Sequence, residues 1–394
     1  MQNTVFRALW ISNIVSNFGS MVQGVGAAWL MTTLVDSEAM VALVQASTTL
    51  PVMIFALVAV ALADNIDRRK VLLAAQGFML VVSVALVVCT YLDMINAWSL
   101  LAFTFLIGCG VAFNIPSWQA SVGDIVGKEL LPSAVVLNGM GFNVTRSVAP
   151  AIGGAIVAAA GAIAAFAINA ISYIGLIFVV WRWRGAPPED SAQRTSLMAA
   201  IYEGLRYVSR SPRLTRVMFR AFVFGVTTIV VLAFMPLIGR QLLGGGPVLY
   251  GVLLCAFGAG AVGGGLMAAR LRAALSNEAL VKLAFFGMAV CALICSVSSF
   301  VVITAVAVAI GGAAWVLALS MFNTSVQLTT PRWVVGRALS MYQMSVFGGM
   351  ACGAWVWGSV AELQSISDAL QIASITMLGG ALLGLGWPLP EPDA

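Results

Sequence analysis

Leu62-Ala63-Asp64-Asn65-Ile66-Asp67-Arg68-Arg69-Lys70 is a burst of charge between two apolar runs, 40–63 and 71–92. Each run exceeds the roughly 20 residues that a helix needs to cross a bilayer core. A charged connection this short makes the two helices antiparallel neighbours, with the turn at the membrane surface. Working outward, runs of the same kind occupy 6–33, 97–122, 133–159, 162–182, 215–240, 247–269, 279–299, 301–328, 337–361 and 366–387. No ten-residue alternating segments of a membrane β-barrel occur. The sequence predicts an all-α integral membrane protein with twelve transmembrane helices. The run 6–33 is too long for a cleaved signal and reads as the first of them.

Composition agrees. Of 394 residues, 61% are hydrophobic and 9% charged, against about 25% charged in soluble domains. Cytosolic enzymes, disulfide scaffolds and disordered regulators are excluded. Arg68, Arg69, Lys70, Lys128, the arginines of 182–216, Arg270, Arg272, Arg332 and Arg337 collect on one side of the spans. The other side holds Arg240 among Asp36, Glu38, Asp93, Glu362 and Asp368. The positive-inside rule then places both termini in the cytoplasm. The net charge of +5 is a topology signal, with no nucleic acid implied. There is no histidine, so imidazole is unavailable as metal ligand or proton relay, and no metal or other cofactor is expected. The six cysteines, none in a CxxC pair, read as free thiols packed in spans.

One connection is long. Residues 183–214 form a polar linker that divides the chain into six-helix halves, 1–182 and 215–394. Within it Leu197, Ile201, Leu205 and Val208 recur at helical spacing opposite Glu203, Arg206 and Arg210, the pattern of an amphipathic helix on a membrane surface. Phe113-Asn114 before Gln119, and Phe322-Asn323 before Gln327, form a faint echo between the halves.

The 62–70 stretch resembles the loop between spans 2 and 3 of the major facilitator superfamily. More closely, it is similar to the A-D-R-x-D-R-R variant of the bacterial transmembrane secretion effector group, which includes siderophore and drug exporters. Phe6-Arg7-Ala8-Leu9-Trp10, Ala28-Trp29-Leu30, Leu137-Asn138, Asn143 and Glu203-Gly204-Leu205-Arg206-Tyr207-Val208 extend the resemblance. Asn65 stands in place of the usual arginine, Val60 where glycine is common, and Ala269-Arg270-Leu271-Arg272 between spans 8 and 9 lacks the acid of the first half. Gating is therefore expected to be asymmetric. The resemblance implies a proton-coupled secondary transporter, a monomer in the bacterial inner membrane, exporting a small organic molecule by alternating access. No nucleotide-binding motif is present. Broad drug efflux, anion import, a transport-dead sensor and a membrane enzyme are the alternative readings, although no His, Asp or Cys cluster marks an enzyme site.

Asp64 at the end of span 2 can face the positive end of a helix dipole, with span 11 the partner in the family. Arg68 and Arg69 can reach Asp124 or Glu129. Together these residues are gating candidates on the cytoplasmic side; the alternative is a solvated charge run that fixes topology. On span 5, Ala149-Pro150-Ala151-Ile152-Gly153-Gly154 resembles the exporter motif G-P-x-x-G-G, with alanine for its first glycine. Pro150, Gly153 and Gly154 equally suit helix bending and close packing.

Arg146 lies about thirteen residues into span 5, roughly 20 Å deep, on the face shared by Asn143, Pro150 and Gly153. A charge at midplane normally faces a partner or a water-filled cavity. No carboxylate sits mid-span, so either a helix-end acid or an anionic substrate is its counterpart. Asn17, with Asn13, Ser20 and Gly24, forms a polar stripe on span 1, beside Ser16 and Gln23. Such a stripe lines a cavity or bonds between helices. Asn114, Thr228, Trp315 and Asn323 occupy compatible depths on spans 4, 7 and 10 and complete the candidate substrate-binding set.

Overall fold

The computed structural model describes residues 4–183, 206–331 and 334–389, except the side chains of Asp64 and Lys128. The helices are α1 (Thr4–Leu34), α2 (Glu38–Asn65) and α3 (Arg68–Tyr91), then a helical stretch from Ala97 to Arg182 divided by two glycines. Gly127 and Gly161 take φ values of 75° and 73°, a left-handed conformation open to glycine at little cost. They separate α4 (97–126), α5 (128–160) and α6 (162–182). After a short helix at 206–210 come α7 (Pro212–Ala233), α8 (Pro247–Ala274), α9 (Asn277–Val297), α10 (Val301–Thr329), α11 (Val335–Leu363) and α12 (Ile366–Gly386).

Among the described residues, ten helical segments are long and apolar enough to cross a membrane. One of them, Glu129–Arg182, contains both α5 and α6, and α1 falls outside the ten because its polar stripe dilutes its hydropathy. Twelve long helices result. The expected connection at 123–132 is instead helical on both sides of Gly127, so α4 and α5 project past the apolar runs. Half of the twelve starts are capped by side-chain oxygens, among them Ser37 accepting from Met40 N, Asp67 from Arg69 N and Ser276 from Ala279 N, each satisfying a free donor of the first turn. Asp67 thus has a structural task within the charged loop. Beyond α7, Met235–Leu237 and a π-helical turn, Ile238–Leu242, continue the span after a break at Phe234; Pro236 has no N–H to give to the preceding turn.

The linker's Leu197, Ile201 and Leu205 lie outside the described residues. Val208 is buried in the core, and α7 already begins at Pro212.

The two halves repeat one packing plan. Gly141 and Gly153 of α5 abut α1, as Gly225 of α7 abuts α11; Gly108 of α4 meets α2, as Gly260 of α8 meets α10. Helices in a bilayer gain little from the hydrophobic effect against one another, so small residues that permit close approach carry the association.

Candidate functional site

All six short connections on one face join helices near Asp36, Asp93, Gly161, Gly244, Ser298 and Gln364; this is the acidic end. The opposite, basic end carries Arg68, Arg69, Arg213, Arg216, Arg270 and Arg272. The described contacts between the halves gather at the acidic end and reach the middle. Ser37 Oγ donates to Glu362 Oε1. Trp29 and Tyr250 stack with centroids 6.4 Å apart. Gly358 meets Ala39, and Gly348 meets Met53 at mid-depth. On the other flank, a Cβ added to Gly154 would stand 2.4 Å from Pro247 O and 3.0 Å from Gly251 Cα, and one on Gly258 2.7 Å from Arg146 O.

Towards the basic end α5 loses this cover. Gly139, Met140, Phe142, Asn143 and Val144 are exposed, while Ala134, Gly141 and Thr145 keep a single buried stripe; Gly141 faces Ile14 and Trp10 of α1. On this flank the contact between the halves ends near Arg146, while α2 and α11 pack together on the other.

Arg146 sits where the contact with α8 gives way to the exposed stretch of α5. It is half-buried, and its Cζ lies 5.8 Å from the ring centroid of Phe257 on α8. Among the described residues no carboxylate pairs with it. Asn143 is exposed one turn nearer the basic end, its carbonyl accepting from Ser147 Oγ at 2.9 Å. Pro150 and Gly154 form the contact with α8, and Gly153 packs on Val22 and Val25. Asn17 is half-buried on α1.

Four other candidates, Gln23, Asn114, Thr228 and Trp315, are committed elsewhere. Gln23 is buried and accepts from Asn169 Nδ2, which also reaches Tyr173 Oη at 3.1 Å and Ser83 Oγ at 3.5 Å. This network ties α1, α3 and α6 together inside the first half. Asn114 accepts from the buried Gln76 Nε2 at 3.0 Å. Thr228 is fully buried and donates to its own helix at Phe224 O, 2.6 Å. Trp315 is buried among Phe224 and Phe257, centroids 5.7 and 6.2 Å away. Asn323 takes a hydrogen bond from Gln327 and lines a cavity of about 430 Å³ with Ser320, Thr324, Tyr342 and Gln343.

At the basic end Arg68 Nη1 binds Asp124, 2.6 Å from Oδ2, and Ala120 O at 3.2 Å. Arg69 turns away from both acids and donates to the carbonyls of Val180 and Trp181 at the end of α6, where the helix dipole favours a cation. These contacts lie within the first half. Asp64 closes the last turn of α2; its side chain lies outside the described residues.

Three participants carried no sequence signal of their own. Phe257 is one apolar residue in a glycine-rich span, and Gln76 and Asn169 are lone amides. Arg220 did carry one, since it is the sixth residue of the apolar run 215–240. It is 1% exposed and pairs with Glu278 of α9, whose Oε2 also accepts from Leu389 N at 2.9 Å.

The family model for transmembrane secretion effectors matches residues 1–394. The chain belongs to that family. Two relatives of this family member are a staphyloferrin A transporter of Staphylococcus aureus and an uncharacterized MFS-type transporter, YfiS, of Bacillus subtilis. The first is 25% identical over 63% of this chain and 63% of its own, so the match spans a little under two thirds of that relative. The second is 23% identical over 86% and 84%. The fold is that of the nucleoside transporter NupG, with a TM-score of 0.79 at 10% identity covering 98% and 100% of the two chains. An inward-facing bacterial homolog of the lysosomal transporter Spinster superposes with a TM-score of 0.70 at 15% identity, covering 98% and 95%. This secretion effector is a multi-pass membrane transporter of the major facilitator type.

Proposed function

We propose that the protein exports a small organic anion, siderophore-like or drug-like, across the bacterial inner membrane by proton-coupled alternating access. One observation carries the reading: Arg146, a cation with no carboxylate partner among the described residues, stands where the contact between two pseudo-equivalent halves gives way to an exposed stretch of α5. A cation at that depth is costly unless something compensates it, and a substrate anion arriving through the basic end does so. Asn143, Asn17 and Asn323 are the polar groups left to contact the rest of the substrate. With both termini and the 183–214 linker cytoplasmic, the exposed stretch of α5 towards the basic end faces inward, the side from which an exporter loads.

The gate on that side would be built from Asp64, Arg68 with Asp124, and Arg69, engaging 215–394 when the halves rock together. The exporter-type motif around Pro150 supports efflux over uptake, and the relative that transports staphyloferrin A supports a siderophore-sized cargo. The test is accumulation of radiolabelled staphyloferrin A, or of a small aromatic carboxylate, in everted vesicles. Uptake that collapses when the pH gradient is dissipated supports the reading. No uptake of either probe by correctly inserted protein, or uptake only in right-side-out vesicles, counts against it.

A further inference from the structure

The exit of the linker holds a charged cavity apart from the residues assigned to transport. Its lining includes Arg206, Tyr207, Arg210, Ser211, Arg213 and Arg216, around a space of about 750 Å³, with no acidic residue among the described lining residues. The short helix 206–210 puts Arg206 and Arg210 four residues apart on one face, and the first turns of α7 put Arg213 and Arg216 three apart. All four are exposed at the basic end.

The segment is held firmly. Ser211 N donates to Val208 O at 3.0 Å, and Thr215 Oγ1 reaches the same carbonyl at 3.2 Å. Val208, Leu214 and Val217 are anchored in the core. The arginines therefore project from a fixed corner rather than a free chain.

Beside this corner an apolar groove of about 360 Å³ runs between α7 and α11, lined by Val208, Thr215, Met218, Phe219, Phe222 and Met341 among others. Phe219 and Phe222 are 44% and 36% exposed, and Phe219 meets Trp387 edge-on at 5.8 Å. Phe222 lies six residues beyond Arg216, roughly 9 Å deeper at 1.5 Å per residue. That is close to the depth of a headgroup layer, roughly 5–8 Å per leaflet. Cations at headgroup level with an apolar groove one layer deeper match a molecule with a phosphate head and a hydrocarbon tail. A free phosphate would leave the groove unused, and a nucleic acid could not enter it.

We propose that this corner binds an anionic phospholipid, its phosphodiester among Arg206, Arg210 and Arg216 and an acyl chain along Phe219 and Phe222. The bound lipid would brace the linker against α7 and α11, coupling leaflet composition to the second half. The site is independent of the direction and cargo of transport.

The test uses the full-length protein in nanodiscs of phosphatidylcholine, alone or with one-third phosphatidylglycerol, read by melting temperature and by native mass spectrometry of retained lipid. Phosphatidylglycerol is expected to raise the melting temperature by several degrees and to co-purify. Inorganic phosphate and glycerophosphate, which have no chains, should do neither. Each arginine near an anionic surface is worth roughly fivefold in affinity. Arg206→Gln with Arg210→Gln, both outside the span, should therefore retain lipid some twentyfold more weakly. Phe219→Ala with Phe222→Ala should weaken retention with the arginines intact. Equal stability in both lipids, an unaltered increment in the arginine variant, or full reproduction of the effect by inorganic phosphate overturns the proposal. Retention of a short RNA in preference to lipid overturns it as well.

Discussion

The Arg146 guanidinium faces the ring of Phe257 across the boundary of the two halves, 5.8 Å from Cζ to centroid. A cation–π contact contributes about 0.5–2 kcal/mol. That is enough to orient the side chain but less than a carboxylate partner would give, so its hydrogen-bonding donors stay available. Arg146→Gln is expected to lower the affinity for an anionic substrate about ten- to hundredfold, the range for losing charged hydrogen bonds. The melting temperature in detergent should hold or rise, because no acid is stranded. A fall in stability with unchanged affinity would make Arg146 structural. Arg146→Lys, which keeps the charge but loses the planar fork, should fall between.

The Gly154–Gly251 contact sets the resting conformation. A methyl on Gly154 would collide with the backbone of Pro247 and Gly251, and backbone cannot rotate aside. Overpacking of this kind costs about 1–3 kcal/mol, and each 1.4 kcal/mol moves a two-state ratio about tenfold. Gly154→Ala is therefore expected to part the acidic end. A cysteine placed at Ser37 should label several-fold faster with a membrane-impermeant maleimide. Unchanged labelling would show that the contact does not govern the equilibrium.

Arg68 and Asp124 are each about one-third exposed in their side chains, and exposed pairs contribute roughly 0–1 kcal/mol. Asp124→Asn should leave the melting temperature within about two degrees of wild type. If the pair belongs to the gate, flux should drop several-fold in the same variant, and Asp64→Asn should act alike with normal membrane insertion. Normal flux in both would reduce 62–70 to a marker of topology.

The helices were legible in the sequence because a bilayer demands about twenty apolar residues at each crossing, and little else satisfies that demand. The charged loop at 62–70 and the motif at 149–154 were legible because they are local. The site was less so. Gln23 was marked as polar on a cavity stripe, yet its partner Asn169 comes 146 positions later, and nothing in either neighbourhood links them. Thr228 and Trp315 had suitable depth, but depth along a helix does not fix azimuth, and both turn into the second half's own core. Arg146 stood out because charge at midplane is rare. Phe257 did not, because an apolar residue in an apolar span is unremarked until a cation is found above it.

Arg220 and Glu278 offer the sharpest stability test. Arg220 is 1% exposed, and its Nη1 also lies 3.3 Å from Trp387 O, so the pair joins α7, α9 and the residues after α12. Removing Glu278 leaves the buried Arg220 without a charged partner, at about 3–5 kcal/mol, whereas removing Arg220 leaves Glu278 with Leu389 N and, at 4.0 Å, Lys282 Nζ. Gly384 adds to the confinement, since a Cβ there would lie 1.7 Å from Glu278 Oε1, leaving the stranded group no room to retreat. Arg220→Met and Glu278→Leu are each expected to lower the melting temperature far more than Asp124→Asn does. The double variant should recover much of the loss, because both desolvation costs vanish together. The measurement is a double-mutant cycle on purified protein in one detergent. Additive losses across the cycle would mean that the two side chains act separately, and that α9 and the residues after α12 are held by packing alone.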